Sequence, residues 1–426
     1  APGSGATDAR RAPAWRRAVA GFKRVLLYAG APKTGTTSIQ TFLWSNRGAL
    51  MKQGVYVPRT GRRGAQHMEV PATLHDGKRR GGLDRHADVR DDNLQERRSA
   101  FVRGLDEELA NAPKCHTLLF MSEYLFTSTK KEVRTYRRFF SRYAPRLESL
   151  MYLRRQDQWL ASLTLQGRKS GTRDDLDLTP GPPEEYAGAI RVWDAQSHAC
   201  HIRRFEREFL LNGDLIGDFC ATVGAKPPAL ATKEVRANPA IMQEQLELMD
   251  VLNHKLTAMP FFRRIPYRRT FIAFCADILG GTRIEFQRDA AVAAFEAYEG
   301  INSWLRDTRD PRGPPLFFNA DFSDYPEVAK NGRRYTLKQL TQLKSAVAGR
   351  LRDRHLAEPP VSNLALRYSL TDYIAAAFIL LRKAELRESR RALRESRSAE
   401  ERALGKELGF TPVESVSEFY DDDDDD

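Results

Sequence analysis

The sequence predicts an α/β protein: a three-layer sandwich with helices on both faces of a central parallel sheet, plus a helical C-terminal extension. Three observations predict it. Apolar runs beginning at Val25, Thr117 and Leu147 each pass through a polar turn into a helical segment. Strand and helix signals alternate from Val25 to about Gly224, the order that builds parallel sheets. From Tyr335 onward the pattern is helical and strongly charged.

The elements follow in order. Residues 1–21 read as a flexible basic arm. VLLYAGA is the first strand and IQTFLWSNRGALMKQG continues as the first helix. VYVP is the second strand. A polar insertion at 59–98, rich in Gly, Arg and Asp, follows it; a loop this long is a substrate loop or is disordered. A helix near Leu94 to Ala112 leads to the strand TLLFMSE. A helix near Lys131 to Arg142 leads to the strand LESLMYL and a helix to Lys169. TRDDLDLTPGPPEEYAGAIRVWDAQS is a Pro-marked loop and helix, and HIRRFEREFLLNGDLIGDFCATVGA a strand and helix.

The α/β domain is expected over 22–330, with 240–310 helical and FFNADFSDYP irregular. A charged helical extension covers 331–420, and Asp421–Asp426 form an acidic tail that repels itself. LRESRRA at 386–392 and LRESRSA at 393–399 repeat a heptad that places Leu386 and Leu393 on one stripe. Two heptads are fewer than a coiled coil needs, so the repeat is either a solvated ion-paired helix or a homodimer contact.

Composition narrows the function. A chain of 426 residues at 41% hydrophobic can bury a substantial core. Cys115, Cys200, Cys220 and Cys275 are scattered, with no C-x-x-C, and read as free buried thiols of a reducing, cytoplasmic compartment. The eight His are dispersed, so no metal is expected. A net charge of +12 suits an anionic nucleotide. No helix-turn-helix, zinc-finger or RNA-binding signature argues for nucleic acid. The best apolar run, YIAAAFILL at Tyr373 to Leu381, is too short to span a bilayer and is flanked by Asp372 and Arg382. The N-terminal segment lacks the hydrophobic region of a secretory signal.

The chemistry is concentrated at Val25 to Ser38, VLLYAGAPKTGTTS. A strand, a Gly/Pro turn, Lys33 and a Thr-rich helix start make an anion cradle. Amides at a helix N-terminus lack partners and carry partial positive charge. A Walker A loop requires G-x-x-x-x-G-K-[ST]. Gly30 and Gly35 have that spacing, but Thr36 stands where the lysine belongs, and the loop's lysine precedes the second glycine. A second unit, LESLMYLRRQDQWLASLTLQGRKSG, sets Arg154 after a strand and Ser162 eight positions later. A third strand ends in Ser122 and Glu123.

The order P-K-T-G-T-T-S resembles the 5′-phosphosulfate loop of the sulfotransferases that use 3′-phosphoadenosine 5′-phosphosulfate (PAPS), in a bacterial-type branch. The resemblance extends over roughly 22–225, where F-x-R-x-F-L-x-N-G-D-L-I-x-D-F-x-x-x-x-G is similar to the tail of such domains. It implies a P-loop-like fold and PAPS as the donor, without metal. It implies that Lys33, Thr34, Gly35, Thr36, Thr37 and Ser38 bind the 5′-phosphosulfate. It implies that Arg154 and Ser162 bind the 3′-phosphate, with Arg155 a second phosphate ligand or a structural ion-pair residue. It puts Glu123 forward as the catalytic base, His67 second and Glu69 behind, and a nucleotide loop at Arg236 and Asn238. The K-T-H strand motif of the better-known cytosolic enzymes is missing. The implied activity is sulfuryl transfer to a hydroxyl acceptor, a saccharide or another small hydroxylated metabolite. The competing readings are a P-loop nucleotide kinase and a non-catalytic polyanion-binding protein.

Overall fold

The computed structural model describes residues 22–75, 93–227, 241–332, 335–361 and 366–407. The chain divides into two compact units, 1–241 with 283–331, and 242–282 with 332–426. The continuous domain expected over 22–330 is therefore interrupted: 242–282 belongs with the C-terminal helices.

The first unit is α/β. It runs β1 (Arg24–Tyr28), α1 (Thr36–Ser45), α2 (Arg47–Lys52), β2 (Val55–Tyr56), α3 (Glu69–Thr73), α4 (Leu94–Ala110), β3 (Thr117–Met121), α5 (Lys130–Phe140), β4 (Leu147–Leu153), α6 (Gln156–Ser170), α7 (Pro183–Gln196), β5 (Ala199–Arg204) and α8 (Leu215–Val223). The five strands form one parallel sheet in the order β2-β3-β1-β4-β5. β1 is central, with Leu26 beside Leu119 on one side and Glu148 on the other.

Side chains alternate along a strand, and here both faces are covered. Val25 and Leu27 point into a core with Phe101 and Leu105 of α4, Val133, Tyr136 and Phe140 of α5, and Trp193 of α7. Leu26 and Tyr28 point into a second core with Ile39, Phe42 and Leu43 of α1, Leu50 of α2, and Phe219 and Val223 of α8. The three layers follow from that alternation. Local signals set the helix starts. Thr129 and Glu132 form a capping box on α5, and Asp214 caps α8 through the Gly217 amide.

The insertion is only partly a loop. Arg63 and Gln66 form an isolated antiparallel bridge, α3 follows, and 94–98 are already the first residues of α4. Residues 76–92 lie outside the described residues.

Along the chain, the second unit contributes α9 (Leu246–Lys255) and α10 (Ile265–Leu279), the first unit α11 (Arg288–Glu296) and α12 (Glu299–Arg309), and the second unit α13 (Leu337–Asp353) and α14 (Leu366–Glu407). Phe271 and Phe274 of α10 pack against Phe378 of α14, with centroids 4.9 and 5.5 Å apart. That shared apolar face ties 242–282 to the C-terminal helices. YIAAAFILL is its buried stripe, through Tyr373, Ile374, Ala377, Phe378 and Leu381. No helix among the described residues is long and apolar enough to cross a membrane. The dimer reading of the heptad repeat, the N-terminal arm and the acidic tail fall outside the described side chains, Leu393 included.

Candidate active site

Ligands of open parallel sheets bind beyond the carboxyl ends of the strands, where neighbouring connections diverge. β1 leads to β2 on one side of the sheet and β4 leads to β5 on the other. Beyond these ends lie the Ala29–Gly35 loop after β1 and Arg154 and Arg155 after β4. Ser122 and Glu123 follow β3.

The loop is held in a demanding shape. Gly35 precedes α1 at φ 75°, and no side chain caps the helix, so the first-turn amides are open to a ligand. Lys33 sits at φ 68°, a left-handed conformation that costs a non-glycine residue about 1–2 kcal/mol. Such strain persists only where the surroundings impose it. Trp159 Nε1 donates to Pro32 O at 3.0 Å, and Lys33 Nζ reaches Gln166 Oε1 at 3.4 Å. A Cβ at Gly35 would collide with Leu215 and Phe205 as well as adopting a left-handed φ. Gly35→Ala is therefore expected to cost about 1–3 kcal/mol of stability in a denaturant titration. An unchanged midpoint would mean that the loop relaxes freely.

The hydroxyls separate into two kinds. Thr34 is fully buried and donates to Ala31 O at 2.6 Å, so its expected role as a ligand donor is corrected: it braces the turn. The hydroxyls of Thr36, Thr37 and Ser38 have no partner among the described residues.

Two cations stand out. Lys33 and Arg154 make no ion pair with any described residue, and burial lowers the pKa of each. Arg154 disfavours the Lys33 charge and the Glu123 carboxylate supports it, while Arg155 disfavours the Arg154 charge and Tyr325 and Asp157 support it. Arg154 Nε donates to Gln158 Oε1 at 3.3 Å and its guanidinium lies 5.9 Å from the Phe205 ring centre. Gln158, Ser162 and Gln166 recur every four residues on α6, so they share one face. Arg154 is tied to one end of that face and Lys33 to the other. Ser162 lies between them, its hydroxyl without a partner among the described residues.

Arg155 has the opposite character. It forks onto Asp157 at 2.8 and 2.9 Å and donates to Asn319 O at 2.9 Å. Tyr325 Oη completes the shell of Asp157 at 2.7 Å. Both members of the pair are buried. Of the two roles open to Arg155, the geometry supports the structural ion pair.

Glu123 is half-buried and clamped by Gln66. Gln66 Oε1 accepts from Ser122 Oγ and from the Glu123 amide, both at 3.1 Å, and Gln66 Nε2 donates to Glu123 Oε1 at 3.3 Å. His67, one residue on, points the other way and is fully buried. Its Nδ1 accepts from Met121 N at 3.0 Å and its Nε2 donates to Pro58 O at 2.9 Å. Burial pulls its pKa down to about 4. The expectation of His67 as second candidate base is corrected: the lone pair it would need is already engaged. Glu69 pairs with Arg97. Arg236 and Asn238 lie outside the described residues.

Sequence reasoning missed Gln66, which is neither titratable nor part of a motif. It also missed Glu206. Glu206 lines a cavity of about 350 Å³ with Arg155, Gln158, Phe205, Asn319 and Asp321. Its Oε2 is buried without a hydrogen-bond partner. Burial pushes its pKa up to about 7, against the pull of Arg155. The folded state therefore holds this proton where the unfolded chain has lost it, so the Glu206 contribution to stability falls as pH rises from about 4.5 to 7. Glu206→Gln should raise the melting temperature at pH 8 and leave it unchanged at pH 4. A variant equally displaced at both pH values would contradict this.

No protein-family model, curated protein or solved structure matches this chain.

Proposed function

We propose that the first unit is a P-loop-like sulfotransferase domain that moves a sulfuryl group from PAPS to a hydroxyl acceptor such as a saccharide. One observation carries the reading. Two partly buried cations without ion-pair partners among the described residues, Lys33 and Arg154, stand at opposite ends of the Gln158–Ser162–Gln166 face, beside an uncapped helix start. Unpaired buried charge is costly, and a polyanion bearing phosphate groups at two positions relieves it.

PAPS supplies a sulfuryl group carried on a phosphate leaving group. Lys33, the α1 amides and the hydroxyls of Thr36, Thr37 and Ser38 hold the 5′ end and stabilise charge on the departing phosphate oxygen. Arg154 and Ser162 hold the 3′-phosphate. Glu123, oriented by Gln66, takes the acceptor proton as the acceptor oxygen bonds to sulfur and the sulfur–phosphate oxygen bond breaks. Adenosine 3′,5′-bisphosphate leaves. A kinase reading would need a Walker lysine, and Thr36 occupies that place.

Arg154→Ala tests the assignment. Its affinity for adenosine 3′,5′-bisphosphate should fall about 10–100-fold, while weak binding of ADP stays the same. Equal losses for both nucleotides would remove Arg154 from the 3′-phosphate site.

A further inference from the structure

Tyr28 is the last residue of β1, in the core formed with α1 and α8. It has no solvent exposure, and its hydroxyl has no hydrogen-bond partner. Its ring packs edge-on to Phe219, centroids 5.9 Å apart, and tilted to Tyr152 at 6.3 Å. Those contacts need only a phenyl ring. Tyr152, in the same core, gives its hydroxyl to Asp218 Oδ1 at 2.6 Å. Tyr28 has no acceptor in hydrogen-bonding geometry, only the Thr34 hydroxyl beside it, so its hydroxyl is a cost to the ligand-free fold.

The position of that hydroxyl is informative. The phenol lies against Gly30, where a Cβ would fall 2.7 Å from Oη, so only a glycine leaves room for it. It is close enough to Thr34 and Glu123 for both to act on its ionisation: burial raises its pKa, contact with the Thr34 hydroxyl opposes the rise and the Glu123 charge adds to it. Thr34 has spent its own hydrogen on Ala31 O. A buried donor thus sits against the turn that precedes the uncapped start of α1, the turn in which Lys33 holds a left-handed backbone.

We propose that Tyr28 is a ligand-binding residue: its hydroxyl donates to a phosphate or sulfate oxygen of the anion that the Gly30–Gly35 turn takes up. The inference rests on the reading of this turn as the donor's 5′ site. It adds to the loop a neutral donor from the last residue of β1. The Thr34 hydroxyl, which acts on the phenol in the ligand-free turn, is the group the anion replaces as its neighbour.

Tyr28→Phe keeps the ring and removes the donor. Calorimetry with adenosine 3′,5′-bisphosphate should show affinity reduced about 10–100-fold, with a melting temperature equal to or above that of the parent. Tyr152→Phe is the control: it breaks the bond to Asp218, so it should melt earlier and bind the nucleotide as the parent does. If Tyr28→Phe binds as tightly as the parent, the hydroxyl does not touch the ligand and the inference fails while the proposed function stands. If the parent itself does not bind the bisphosphate, both fall. An earlier melt of Tyr28→Phe with unchanged affinity would make the hydroxyl structural.

Discussion

Lys33→Ala is expected to lower sulfuryl transfer from PAPS by about 10²–10³-fold, the usual loss for one preorganised donor to transition-state charge. Bisphosphate release from PAPS measures it. The melting temperature should move by no more than a few degrees. The ammonium makes no ion pair among the described residues, and its hydrogen bond there, to Gln166 at 3.4 Å, is long. Lys33→Gly sharpens the test. It removes the same charge while relieving the left-handed backbone at φ 68°, at the entropic cost of a glycine. Its activity should match that of the alanine variant and its stability should be no worse. A Lys33→Ala protein that melts early yet keeps its activity per folded molecule would make the lysine a structural residue.

Glu123→Gln should lower transfer by about 10²–10⁴-fold and leave bisphosphate affinity within a few-fold of the parent, because it keeps the shape of the side chain and removes its basicity. His67→Asn should do the reverse. It strips partners from Pro58 O and Met121 N in the core, a loss of about 2–4 kcal/mol seen by denaturant unfolding. The folded fraction should retain activity. Full transfer by Glu123→Gln together with a stable, inactive His67→Asn would reverse the assignment of the base.

The contrast between Gln66 and His67 marks where the sequence was legible and where it was not. A titratable His near a strand end draws attention, but adjacent residues of an extended segment face opposite sides. Only the pairing of this segment with the end of β3 sends His67 into the core and Gln66 to Glu123. The strands themselves were readable, because β3 and β4 are buried along their whole length and carry the apolar runs Leu118–Met121 and Leu150–Leu153. The loop was readable from its order of Pro, Lys, Gly and Thr. The left-handed backbone of Lys33 was not, since lysine has no preference for it. Nor was the interruption of the first unit by 242–282. Periodicity shows that α10 has an apolar face; that Phe378 covers it is a long-range fact. The polar stripe Gln158–Ser162–Gln166 was legible as a four-residue spacing, and acquires meaning only from Arg154 and Lys33 at its two ends.

Calorimetric titration of the unaltered protein with adenosine 3′,5′-bisphosphate, ADP and Mg-ATP tests the central claim most directly. A site built around Arg154 and Ser162 should bind the bisphosphate about 10–150-fold more tightly than ADP, without added Mg²⁺, because the 3′-phosphate accepts charge-assisted bonds that ADP cannot. Equal affinity for the two nucleotides, or a preference for Mg-ATP, would contradict the account.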